Sequence, residues 1–131
     1  MATGERNLEV LLGAMAPALD SEEYVFCTAD RIAGEPLCAL REDEGWTLVL
    51  RRAEAERLGI PHTFPCRRIT LTIHSSLDAV GLLAAVATEL AAAGISVNVA
   101  SGYYHDHLFV PAGRAGDALE MLLKIAHRNR Q

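Results

Sequence analysis

The side chains best suited to chemistry in this sequence stand together near its end, in His105-Asp106-His107. Two imidazoles and a carboxylate are the ingredients of a zinc site or of acid–base catalysis. Their spacing argues against both. In a strand His105 and His107 share one face while Asp106 points to the other, and no third ligand is evident in the sequence; His62, His74 and His127 lie elsewhere. The cluster reads better as a polar turn or interface. Cys27, Cys38 and Cys66 are odd in number, widely spaced and without a CxxC pair. They read as small buried thiols of a reducing compartment rather than as a disulfide frame. Nothing local activates any of them toward the thiolate, and no GxSxG, phosphate-cradling glycine loop or HExxH occurs. Trp46, the single tryptophan, reads as a core or interface residue rather than a substrate platform. The residues point away from an enzyme, with neither metal nor cofactor expected.

The elements that position these residues come from a chain of 131 residues with 12 basic and 17 acidic side chains, a net charge of −5. That length allows one compact domain or two very small ones, and it buries enough surface to fold without disulfides or metals. Half of the residues are hydrophobic, which excludes intrinsic disorder. Residues 1–64 hold six Arg against twelve Asp or Glu, a net of −6, and residues 65–131 a net of +1. Neither half carries the basic stripe that nucleic-acid binding requires. The longest apolar stretch, Ala79 to Ala87, has nine residues, well short of the roughly 20 that span a bilayer. The opening MATGERNLEV places charges where a signal peptide would carry its apolar core. The expected location is the cytoplasm, with no membrane partner.

Leu8, Leu11, Leu12 and Met15 have helical spacing, with Pro17 to stop the helix. Glu23–Thr28 is strand-like, and Gly34 and Pro36 mark a loop. Leu37–Arg41 and Trp46–Leu50 bracket Glu42-Asp-Glu-Gly45 as a hairpin, and Arg51–Leu58 reads as a short surface helix closing at Gly59. Pro61–Pro65 is expected to punctuate the chain near its midpoint. Beyond it, Arg68–His74 alternates strictly, with Ile69, Leu71 and Ile73 on one face and Thr70, Thr72 and His74 on the other. Ser75 to Asp78 has the form of a capping box ahead of a helix from about Leu77 to Ala93, stopped by Gly94. Ile95–Val99 is a second strand, His107–Val110 a third, and Ala112–Arg128 a second helix. The second half is thus β-α-β-β-α, with both helices on one sheet face. The other face, carrying Thr70, Thr72, Ser96 and Asn98, must be solvated or packed on another sheet or subunit.

The segments Ile69–Gly81, Leu90–Val99 and His107–Val110 resemble an ACT domain, a small regulatory β-α-β-β-α module. Over nearly its full length, through Glu22–Ala29, Leu40–Leu50 and Ala93–Val110, the chain is similar to short stand-alone bacterial proteins built from two ACT-like halves, related to aspartate-kinase regulatory modules. The resemblance implies an α+β fold of two ferredoxin-like, ACT-type modules, with antiparallel-rich sheets and helices on one face. Residues 1–64 would be the N-terminal ACT-like half and 65–131 the C-terminal ACT domain. The first half departs from the usual pattern by an added helix and the long Ala29–Pro36 loop.

What the resemblance implies is sensing rather than turnover: an amino acid or similar small polar metabolite held at an interface between ACT modules, in a homodimer. The floor of that site would be the turn from first strand to first helix, comprising His74, Ser75, Ser76, Leu77, Asp78 and Gly81. A helix N-terminus suits a ligand carboxylate because its amides are unpaired and its dipole end is positive. Ser96 and Asn98, expected on one face of the next strand, would hold the ammonium or a polar side chain. Each has a structural alternative: Ser75 and Ser76 as caps, Gly81 as a packing position, Asn98 as a subunit contact. Two other functions stay open, a protein–protein interaction module without a small ligand and a metal-dependent enzyme using His105, Asp106 and His107.

Overall fold

The computed structural model describes residues 7–73 and 79–130. The order of elements is α1 (Leu8–Ala14), β1 (Pro17–Ala29), β2 (Cys38–Glu42), β3 (Gly45–Arg51), α2 (Arg52–Leu58), β4 (His62–Leu71), α3 (Leu82–Ala92), β5 (Asn98–Ser101), β6 (Asp106–Pro111) and α4 (Ala115–Asn129), the last entered through a 3-10 turn at Ala112–Arg114. The strands form one six-stranded sheet in the order β2-β3-β1-β4-β6-β5. All its pairings are antiparallel. The α+β class and the ferredoxin-like organisation expected from the sequence are both present.

Local chemistry explains most boundaries. Asn7 caps α1, its side-chain oxygen accepting from the Val10 amide at 3.1 Å. The β2–β3 turn needs Gly45, where φ is +137° and a Cβ would lie 2.9 Å from the Ala29 carbonyl oxygen. Helix α2 ends on Gly59 in the left-handed conformation. The long loop before β2 is held by the buried Glu54, whose Oε1 accepts from the Glu35 amide at 3.0 Å.

Three expectations are corrected. Pro61–Pro65 does not break the chain, because β4 runs from His62 through Pro65 to Leu71. Phe64 there has φ +57° and sits where the register between β1 and β4 shifts; a bulge accommodates the proline inside the ladder. The helix expected from Leu77 begins at Leu82, with Gly81 as its N-cap, and the capping box Ser75–Asp78 lies outside the described residues. The strand expected over Ile95–Val99 starts at Asn98. Ile95 instead drops into the core, and its amide bonds the Leu90 carbonyl at 2.9 Å.

The helices cover one face of the sheet. The larger core joins Ile69, Leu71, Leu108 and Val110 to Leu82, Val86 and Leu90 of α3 and to Leu122 and Ile125 of α4. Leu11, Leu12 and Met15 belong to that same core, so the N-terminal helix packs with the second half of the chain. Start of β1 and end of β4 agree: Pro17 and Leu19 pair with Leu71 and Ile69. A smaller core of Val25, Cys27, Leu48, Leu50 and Ala55 lies under α2. Since Leu11 is fully buried in the larger core, Leu11→Ala is expected to cost about 3 kcal/mol. Urea unfolding of the whole chain, followed by far-ultraviolet circular dichroism, checks it; a loss below about 1 kcal/mol would show α1 to be peripheral.

Candidate functional site

The sheet face away from the helices is apolar at its centre and polar at its edges. Strand alternation sends Tyr24, Phe26, Val49, Cys66 and Phe109 to it; Tyr24, Val49, Cys66 and Phe109 form a third buried cluster, with the half-buried Phe26 packed against it. The rings meet edge to face: Phe26 and Phe109 have centroids 5.6 Å apart, and Phe26 and Phe64 5.8 Å. The positive φ of Phe64 places that last contact. Both edge strands, β2 and β5, line a single trough of about 380 Å³ above Phe26, Val49 and Phe109. A sheet whose two edges meet around one hollow is strongly curled. A second hollow of about 400 Å³ opens beside it, between Cys27, Thr47, Pro61 and His62.

A charged network lies on the same face. Asp20 Oδ2 accepts from the Tyr24 hydroxyl and from Arg68 Nη2, each at 2.9 Å, and Asp20 Oδ1 accepts from the Glu22 amide at 2.9 Å. Arg67 donates to the Asp20 carbonyl through Nε and Nη2. Burial raises the Asp20 pKa, but the amide, the phenol and the guanidinium outweigh it and hold the carboxyl below its ordinary value. Arg68 also stacks over the Tyr24 ring at 6.0 Å, and its Nε is buried without a partner among the described residues.

The three thiols and the His107 imidazole are turned toward neutrality. Burial pushes all three thiols up, and Cys66 reaches about 12. His107 is lowered, first by burial and then by the Arg68 and His105 charges, against the pull of Asp106. Its Nδ1 is 3.0 Å from Thr70 Oγ1, which secures the ring to the neighbouring strand. The His105 and His107 rings stand 6.5 Å apart, and Asp106 is buried. Among the described residues, no three His, Cys, Asp or Glu side chains are placed to hold a metal ion.

Of the site residues expected from sequence, His74, Ser75, Ser76, Leu77 and Asp78 lie outside the described residues. Gly81, at φ +96°, is the N-cap of α3 and faces Leu8 of α1, whose Cδ2 would be 3.3 Å from an added Cβ. Asn98 is exposed on β5 and lines the trough, on the opposite side of the sheet from Gly81. Ser96 does not share a strand face with Asn98, because it precedes β5 and is exposed. Sequence reading missed Asp20, Tyr24, Phe26, Arg68 and Phe109. A signal existed: Arg68 opens a strand of threonines and aliphatics, and Tyr24 and Phe26 alternate two residues apart.

Two ACT-domain family models match the chain in tandem, over residues 3–67 and 63–124. No curated protein matches it. A Vibrio cholerae protein of unknown function, described as a possible transport protein, is 47% identical over 91% of this chain and 95% of that one, with a TM-score of 0.82. An Agrobacterium tumefaciens protein shares the fold at 16% identity and a TM-score of 0.70, covering 86% of this chain and 89% of that one. The ligand-free regulatory subunit of aspartate kinase from Thermus thermophilus shares it at 12% identity and 0.59, covering 86% and 98%. ACT domains are typically regulatory modules that bind amino acids.

With the Cys66 pKa near 12, roughly one part in ten thousand of that thiol is ionised at pH 8. Cys66 should therefore resist alkylation at pH 8 until the protein is unfolded, as mass spectrometry of trapped peptides will show; prompt labelling in the folded state would contradict its burial. The lowered Asp20 pKa makes the folded state bind fewer protons than the unfolded chain. This contribution to stability is complete above the unfolded carboxyl value of about 4 and drains as pH falls through the folded one. Asp20→Asn should flatten acid unfolding curves in that range, whereas an unchanged acid slope would remove Asp20 as the responsible group.

Proposed function

The chain belongs to the ACT-domain family, and on that premise we propose that it is a non-catalytic regulatory module of the cytoplasm. It senses an amino acid or similar small polar metabolite at a boundary between ACT modules, and it works as a homodimer. The observation that carries this reading is the start of α3, which has no side-chain cap among the described residues. Its N-cap is Gly81, and its first turn holds no acidic residue. Helix α1, by contrast, is closed by Asn7. First-turn amides that no described side chain caps, at the positive end of an 11-residue helix, attract a carboxylate. Residues His74, Ser75, Ser76, Leu77 and Asp78 lead into that helix and, with Gly81, supply the seat.

The modules are taken to divide at residues 64 and 65, inside β4, the strand both halves share. Three free cysteines fit a reducing compartment. No helix among the described residues is long and apolar enough to cross a membrane. A ligand that prefers one arrangement of the modules shifts the population toward it, and that shift is the regulatory output.

Thermal unfolding of the whole chain against each of the twenty amino acids tests the reading. The cognate ligand at a hundredfold excess over its Kd should stabilise by about 2.7 kcal/mol, a rise of several degrees in Tm. Silence across the panel at 10 mM would sink it. Gel filtration at the same concentrations should show a dimer.

A further inference from the structure

We infer a second small-molecule site, on the sheet face away from α3, that takes an uncharged molecule with an aromatic or branched apolar body and one hydrogen-bonding group. It is separate from the amino-acid seat proposed above and does not depend on it. The trough of about 380 Å³ has a floor of Phe26, Val49 and Phe109. Its rims are Leu40 of β2, 63% exposed, and Asn98 of β5, which pairs with Phe109 and shares its face. A large exposed apolar side chain at the mouth and aromatic rings below mark a surface that gains by losing water.

Size selects the occupant. At about 30 Å³ per non-hydrogen atom the trough holds ~12 such atoms, within the range of small-molecule sites. A second copy would need to bury roughly 800 Å² on each side, over a face that stacks on another sheet about 10 Å away, whereas this face is hollowed between its two edge strands. Charge selects the chemistry. Among the described residues no Asp, Glu, Lys or Arg lines the trough, so an ionised group placed on its floor would be desolvated without a charged partner in the lining. The free amino acid proposed for the other seat is thereby disfavoured here. The polar side chain that β5 sends to this face is neutral, the exposed Asn98 carboxamide. Thr47 is already committed, donating to Glu42. The Asn98 amide can give or accept one bond at the rim. Because β2 and β5 come from different halves of the chain, a molecule seated between them ties both modules together.

The test is two-dimensional NMR of the whole chain titrated with indole, with toluene and with L-tryptophan. Indole and toluene should shift Phe26, Val49 and Phe109 saturably, and L-tryptophan should bind at least tenfold more weakly than indole at these residues. Asn98→Ala, at an exposed position, should weaken indole about fivefold and leave toluene unchanged. Ala100→Phe, filling the trough from β5, should abolish both while leaving any amino-acid response in the thermal panel intact. Absence of saturable shifts at millimolar indole overturns the site, as does tighter binding of L-tryptophan at these residues. Shifts of the same residues on dilution of the protein alone also overturn it, since a second copy would then be the occupant.

Discussion

The antiparallel ladder between β1 and β4 is the constraint on which the rest of this structure depends. β1 is thirteen residues long and pairs with β4 over most of that length, from Pro17 opposite Leu71 to Cys27 opposite His62. The first module hangs from the C-terminal half of β1 through β3, and the second from the C-terminal half of β4 through β6. The ladder is interrupted twice, between Leu19 and Glu23 and between Tyr24 and Phe26. Bulges bend a strand and increase its twist. Asp20 and its arginine and tyrosine partners occupy the first interruption, and Phe64 with its positive φ faces the second. Both irregularities therefore lie where the central strands turn, and the curl that brings β2 and β5 to one trough follows from them.

The two sheet faces then differ in purpose. The helix face is sealed by aliphatic cores and contributes stability. The other face holds aromatic rings, one paired carboxylate–guanidinium cluster and thiols that burial keeps protonated. A nucleophile needs its reactive form populated near neutral pH, and these thiols are moved away from it. Thiols kept protonated by burial are in keeping with the regulatory character typical of ACT domains. The fold is held at 12–16% identity in distant solved structures, as expected when alternation and strand pairing, rather than particular side chains, specify the sheet.

Much of this was legible in the residue order. Helical spacing in α1, the Gly45 hairpin, the Gly59 stop and the alternation of Ile69 and Leu71 report short-range physics, and each element forms where its own residues favour it. The strand through Pro61–Pro65 was not legible, because local turn chemistry was overruled by ladder bonds to β1, more than thirty residues away. The start of α3 was misread for a related reason. An alanine-rich stretch has helical propensity throughout, so where it begins depends on Gly81 and its neighbour Leu8 rather than on propensity.

The amino-acid order alone determined the mixed α+β pattern and the thiols' lack of local activation, since these follow from periodicity and from the chemistry of adjacent residues; the tandem ACT character was legible only as a resemblance carried by particular segments. Tertiary structure alone decided that α1 belongs to the core of the second half, that Gly81 and Asn98 face opposite sides of one sheet, and that Asp20, Tyr24 and Arg68 converge. Those facts depend on the register of β1 against β4. Register is set by the summed burial of both faces and by two bulges, quantities that no window of neighbouring residues contains.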